Sequence, residues 1–160
     1  MIQLTMPNIK EYCIVDKPGL LHESVTVWPF TQIRGDVHVG AGSTIGCHVN
    51  LFGFESPIHI GRNTTIQAYC IIPHGCRIGN NVFMASGANI CNDKYPPSDP
   101  ADWEPITVED DVVIGVAVTF LPGVLIGQGA KIGCGSVVTK DVAPGAVVCG
   151  NPARVIRSKW

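Results

Sequence analysis

From Val108 onward a large apolar residue returns at every sixth position: Val108, Ile114, Phe120, Ile126, Ile132 and Val138. Four positions after each stand Val112, Val118, Val124, Ala130, Ser136 and Val142. A helix repeats at 3.6 residues and a strand at 2, so neither produces this period. A chain that turns a corner every six residues does. Three short strands then close one triangular coil, and coils stack into a prism, the β-helix arrangement of short repeats.

The same period runs upstream through Ile60, Ile66, Ile72, Ile78, Met84 and Ile90, and before that through Val27, Ile33, Val39, Ile45 and Leu51. Two steps depart from it. Leu51 to Ile60 is nine residues, which places three extra residues near Phe52–Ser56. Ile90 to Val108 is eighteen, so the phase returns after a non-repetitive stretch, which is either one replaced coil or an excursion. Regular coils are therefore expected over about residues 15–90 and 108–142, within a single domain covering 1–160. Residues 1–14 read as irregular. Pro144 and Gly145 read as a stop, leaving 143–160 as a C-terminal tail.

Bulk properties narrow the function classes. With 46% apolar and 15% charged residues the chain can fill a core, and its net charge of −2 lacks the basic stripe that nucleic acid binding needs. No apolar run approaches eighteen residues, and the N-terminus has no basic, then apolar, leader pattern, so a cytoplasmic protein with no membrane partner is expected. The seven cysteines contain no CxxC pair and read as free thiols. No metal site is expected. Trp28 and Phe30 read as caps on one end of the prism, and LFGFESP (51–57) as a bulge from one edge.

Residues 91–107 carry four prolines, which forbid regular strand pairing. A proline-stiffened loop on a rigid scaffold is a common place for function. This loop contains NDKYP (92–96) followed by Trp103-Glu104, and the chain closes with VVTKDV…GNPARVI (137–156). Together with the hexad, these motifs resemble the hexapeptide-repeat acyltransferases, and in particular the N-acetyltransferases of nucleotide-linked amino sugars. The resemblance implies an all-β fold, a left-handed parallel β-helix with one protruding loop at about 91–107, assembled as a homotrimer. It further implies an acetyl-coenzyme A donor and direct attack of a sugar amine on the thioester. The alternatives are O-acetylation of a sugar or serine, and a non-catalytic scaffold subunit.

The reaction needs a group to orient the amine, a donor for the oxyanion and a sink for a proton. By resemblance, Asn92 and Asp93 face the amine; the bland reading, compatible with that one, is an Asx turn leaving the coil. His74 lies eighteen residues before Asn92, one coil earlier, and is either a general base or an exposed turn. Lys94, Tyr95 and Trp103 complete the candidate substrate contacts. For coenzyme A, small residues at Gly115 and Ala117 would admit the ligand to the backbone. Lys140, Arg154 and Arg157 would screen its phosphates, unless they form only a solvated basic tail with Lys159.

Overall fold

A computed structural model describes residues 6–157. Its strands form an all-β, parallel β-helix with three faces. The first face stacks Asn8–Ile9, Thr26–Val27, Thr44–Ile45, Thr65–Ile66, Phe83–Met84, Val113–Ile114, Lys131–Ile132 and Val147–Cys149. The second runs from Ile14–Val15 through the starts of Gln32–Val39 and Asn50–Ile60, then Ile71–Pro73, Asn89–Ile90, Thr119–Phe120 and Val137–Val138. The third takes the ends of those two long strands, then Arg77–Ile78, Thr107–Val108 and Leu125–Ile126.

The hexad is the core. All seventeen apolar repeat residues named above are at most 5% exposed. Each contributes roughly 1.5–3 kcal/mol by leaving water. Among the residues four places later, the buried hydroxyls of Thr31, Ser43, Thr64 and Ser136 are satisfied by corner carbonyls, donating to Gly46, Gly61, Gly79 and Gly133 at 2.6–2.8 Å. Small polar residues are thus tolerated inside because the turning backbone supplies acceptors.

Three boundaries differ from the sequence expectation. The prism begins earlier: Asn8 and Ile9 already pair with Thr26 and Val27. It also ends later. Pro144 and Gly145 form a corner, after which Val147–Cys149 pairs with Lys131–Ile132. Val142 bridges Ile126, sixteen residues earlier instead of eighteen, so a two-residue deletion mimics a stop. The expected tail is a strand, Arg154–Arg157, folded antiparallel onto Val147–Cys149. Lys159 lies outside the described residues.

The interruption at 91–107 is an excursion from one corner. Thr107 pairs with Arg77, thirty residues earlier, whereas coils elsewhere repeat at eighteen, as Thr26 to Thr44 does. Twelve residues are therefore added between the second and third faces. The earlier insertion sits at that same edge, since His38 pairs with His59 at a spacing of twenty-one.

Candidate active site

The two excursions leave the edge between the second and third faces, one on either side of the Pro73–Cys76 corner. Ser56 O accepts the Gly75 N–H at 3.2 Å. From the other side Pro105 approaches so closely that a Cβ on Gly75 would stand 2.9 Å from its Cγ. Gly75 also has φ +77°, which glycine adopts without strain. The sequence thus fixes a tight corner with His74 at its tip.

His74 lies flat on Trp103, with ring centroids 4.2 Å apart and planes inclined by 10°. Both imidazole nitrogens, Asn92 Nδ2 and Trp103 Nε1 are buried without a hydrogen-bond partner. Buried polar atoms are normally paired, and an unpaired one costs about 1–3 kcal/mol. Four such atoms at one edge leave donors and acceptors there without a protein partner. Burial lowers the His74 pKa below the ordinary 6.5, and the charge of Glu55 opposes that shift. The imidazole is therefore neutral near pH 7 and able to accept a proton.

The loop is held by its own residues. Asn92 O accepts the Glu104 N–H at 2.7 Å, clasping the base. Asp93 Oδ1 accepts the Tyr95 N–H at 3.0 Å and the Ser98 hydroxyl at 2.7 Å, while Oδ2 accepts the Ser98 N–H at 3.0 Å. Burial raises the Asp93 pKa, but the Ser98 N–H and hydroxyl and the Tyr95 N–H outweigh it and hold the carboxyl below its usual range. The Asx turn, a reading compatible with a substrate-facing role, is present at Asp93. Its carboxylate is engaged inside the loop, and Asn92 is the member with a free donor.

The remaining candidates divide among three places. Lys94 forms a long surface ion pair with Glu104 at 3.8 Å, and Tyr95 is 79% exposed. Gly115 and Ala117 lie at a different edge, between the first and second faces. Gly115 is small for a packing reason, because a Cβ there would meet the Cys134 backbone N at 2.7 Å. Lys140 and Arg154 line one cavity of about 270 Å³ at the end of the prism, floored by Val138, Val142 and Val148. Arg157 is on the adjoining strand, opposite Val147. A single chain therefore gathers His74, Asn92 and Trp103 but does not bring them to Gly115 and Ala117.

The sequence reading did not single out Glu55 and Ser56. The phase count held the signal, since both insertions follow second-face residues. A larger cavity of about 520 Å³ lies on the third face, where Asn80 Nδ2 donates to Asp110 at 3.1–3.2 Å. No group of three or more potential metal ligands occurs among the described residues.

Two family models match the chain: bacterial transferase hexapeptide (six repeats) over residues 57–92, and hexapeptide repeat of succinyl-transferase over 105–140. Both matched stretches carry the hexapeptide repeat. The two matches stop and resume at the base of the Asn92–Glu104 excursion, so the hexapeptide pattern runs on both sides of it.

Over 118 residues it is 37% identical to a Schizosaccharomyces pombe protein named as a candidate acetyltransferase, covering 66% of this chain and 54% of that one. It spans 31% of Staphylococcus aureus 2,3,4,5-tetrahydropyridine-2,6-dicarboxylate N-acetyltransferase, at 44% identity over 79 residues. The chain thus spans about half or less of these curated relatives. Among solved structures it resembles a hexapeptide-repeat acetyltransferase of Vibrio cholerae complexed with acetyl-coenzyme A, with TM-score 0.66, 29% identity, and coverage of 76% of this chain and 70% of that one. It also resembles the polysialic-acid-specific acetyltransferase NeuO, with TM-score 0.67, 28% identity, and coverage of 86% and 68%.

Proposed function

We propose that this hexapeptide-repeat chain transfers an acetyl group from acetyl-coenzyme A to the amine of a nucleotide-diphosphate-linked amino-deoxy sugar. The observation that carries the reading is the unpaired, buried set of His74, Asn92 and Trp103 between two excursions of one edge. The V. cholerae acetyl-coenzyme A complex supports the donor, and the polysialic-acid-specific relative supports a sugar acceptor. The NDKYP resemblance favours an amine on a nucleotide sugar.

The steps follow from the residues. A sugar amine is mostly protonated near neutrality and must shed a proton to attack. That first proton goes to solvent and frees the lone pair; neutral His74 then takes a second proton from the attacking nitrogen as the N–C bond forms. Asn92 Nδ2–H donates to the oxygen of the tetrahedral intermediate, a contact worth about 2.7–4 kcal/mol. The C–S bond then breaks, and His74 returns a proton to the departing thiolate. Lys140 and Arg154 receive the coenzyme's phosphates at the end of the prism.

In this reading the edge with His74 meets the Gly115–Ala117 edge of a neighbouring copy. The active species is then a homotrimer of about three times the 17.1 kDa chain. A second reading, a hydroxyl acceptor, is favoured by His74, whose free ring nitrogen would serve a hydroxyl equally well.

The test is product mass after mixing protein, acetyl-coenzyme A and a panel of 3-amino and 4-amino nucleotide sugars. A gain of one acetyl group on one sugar supports the proposal. No gain on amines, but gain on a hydroxyl-bearing sugar, transfers support to the second reading.

A further inference from the structure

The edge between the first and second faces carries a ladder of stacked rings. Tyr12 lies on Phe30 at 5.1 Å, Phe30 on His48 at 5.1 Å, and His48 on Tyr69 at 4.9 Å, with interplanar angles of 3°, 11° and 5°. Each rung occupies the same corner position one coil after the last. Each has positive φ, from 55° to 63°.

The next rung is Gly87, and the ladder stops. Neither backbone nor space forces this. Gly87 has φ +72°, which four aromatic rungs and Ala117 nearly share. A Cβ there would meet only Ala117 Cα and N, at 3.9 and 4.0 Å, an ordinary contact. The corner has room for a Cβ and carries none. Tyr69 is 60% exposed, and no ring among the described residues covers its second face. Beside it lies a cavity of about 320 Å³ reaching Ala68 and Ser86, the residues just before Tyr69 and Gly87, and bordered by Trp28. Gln67 Oε1 accepts from the Ser86 N–H and hydroxyl at 3.2 and 3.3 Å, leaving its amide NH₂ as a donor at this wall.

We infer that Tyr69 and the vacant rung over Gly87 bind a planar heteroaromatic ring, a nucleobase, as the fifth member of the stack. Stacked rings favour centroid separations of about 4.5–7 Å, the spacing this ladder already keeps. The inference rests on the proposed reaction only for its two sources of such a ring, the acceptor's nucleotide and the adenine of coenzyme A.

Calorimetry with thymidine diphosphate and with adenosine 3′,5′-bisphosphate tests it and separates the sources. At least one nucleotide is expected to bind the wild type. Its affinity falls about five- to 150-fold in Tyr69→Ala, the range of one base–aromatic stack. It stays within about threefold in Tyr69→Phe, because the ring is kept. Gly87→Tyr adds the missing rung and abolishes binding, so the test survives if Tyr69→Ala folds poorly. Binding of neither nucleotide to the wild type overturns the inference, as does affinity unmoved by both Tyr69→Ala and Gly87→Tyr. Acetyl transfer is judged separately by product mass, so either proposal can fail while the other stands.

Discussion

The His74 imidazole lies against the Trp103 indole at 4.2 Å, joining a corner of the prism to the excursion one coil later. The contact crosses twenty-nine residues of sequence and removes the imidazole from water. A base in such a place stays neutral to lower pH than an exposed histidine.

That has a measurable sign. The folded His74 pKa is lowered, with burial as the main cause and Glu55 opposing. The acid limb of kcat/KM, which reports the free enzyme's base, is expected below the ordinary 6.5. Glu55→Gln removes the opposing charge and moves the limb further down. By linkage, the stability tied to neutral His74 is fully present above pH 6.5 and is lost as pH falls through the folded value. A pH–rate profile of the two proteins checks this; a limb at or above 6.5 in the wild type contradicts it.

Asp93 is predicted to act on loop order. Asp93→Ala frees the Tyr95 and Ser98 amides, so their hydrogen exchange should accelerate while the core strands keep their protection. The carboxyl is held below 3.8, so its contribution is present above that value and is lost as pH falls through the folded pKa. Unchanged exchange at both amides would refute the anchoring role.

Phe120 heads the fully buried side chains by size, at 0% exposure. Phe120→Ala leaves a cavity between stacked coils and should cost about 3–5 kcal/mol. Urea unfolding monitored by circular dichroism reads the loss, and a cost under about 1 kcal/mol would contradict the packing.

Lys140 and Arg154 share the cavity at the end of the prism. The double substitution to Ala should raise the KM for acetyl-coenzyme A about three- to tenfold with little change in kcat, consistent with exposed ion pairs of up to about 1 kcal/mol. The difference should shrink in 0.5 M salt, where the screening length falls to a few ångströms, roughly. A KM insensitive to both would place the phosphates elsewhere.

Much of the fold was legible because burial follows the hexad directly. Ile33, Ile72, Phe120 and the other repeat residues are inside because every sixth residue points inward. The ends were harder to read. Ile9 keeps phase with Val27 but stands alone beside polar neighbours, and the missing two residues before Val142 made Pro144 look like a stop. At the site, His74 and Asn92 could be placed one coil apart by counting. The Trp103 contact could not, because a twelve-residue excursion has no period to fix where its side chains fold back. Asp93's role depended on Ser98, a hydroxyl that sequence spacing does not distinguish from any other loop serine.

The most direct measurement is the rate of acetylated-product formation, followed by mass, for His74→Ala and Asn92→Ala beside the wild type on an accepted nucleotide sugar. If the edge between the second and third faces is the reaction centre, His74→Ala loses about 10²–10⁴-fold and Asn92→Ala about 10²–10³-fold in kcat. Both variants should keep the wild-type unfolding transition. Wild-type rates in both would place the chemistry elsewhere on the prism.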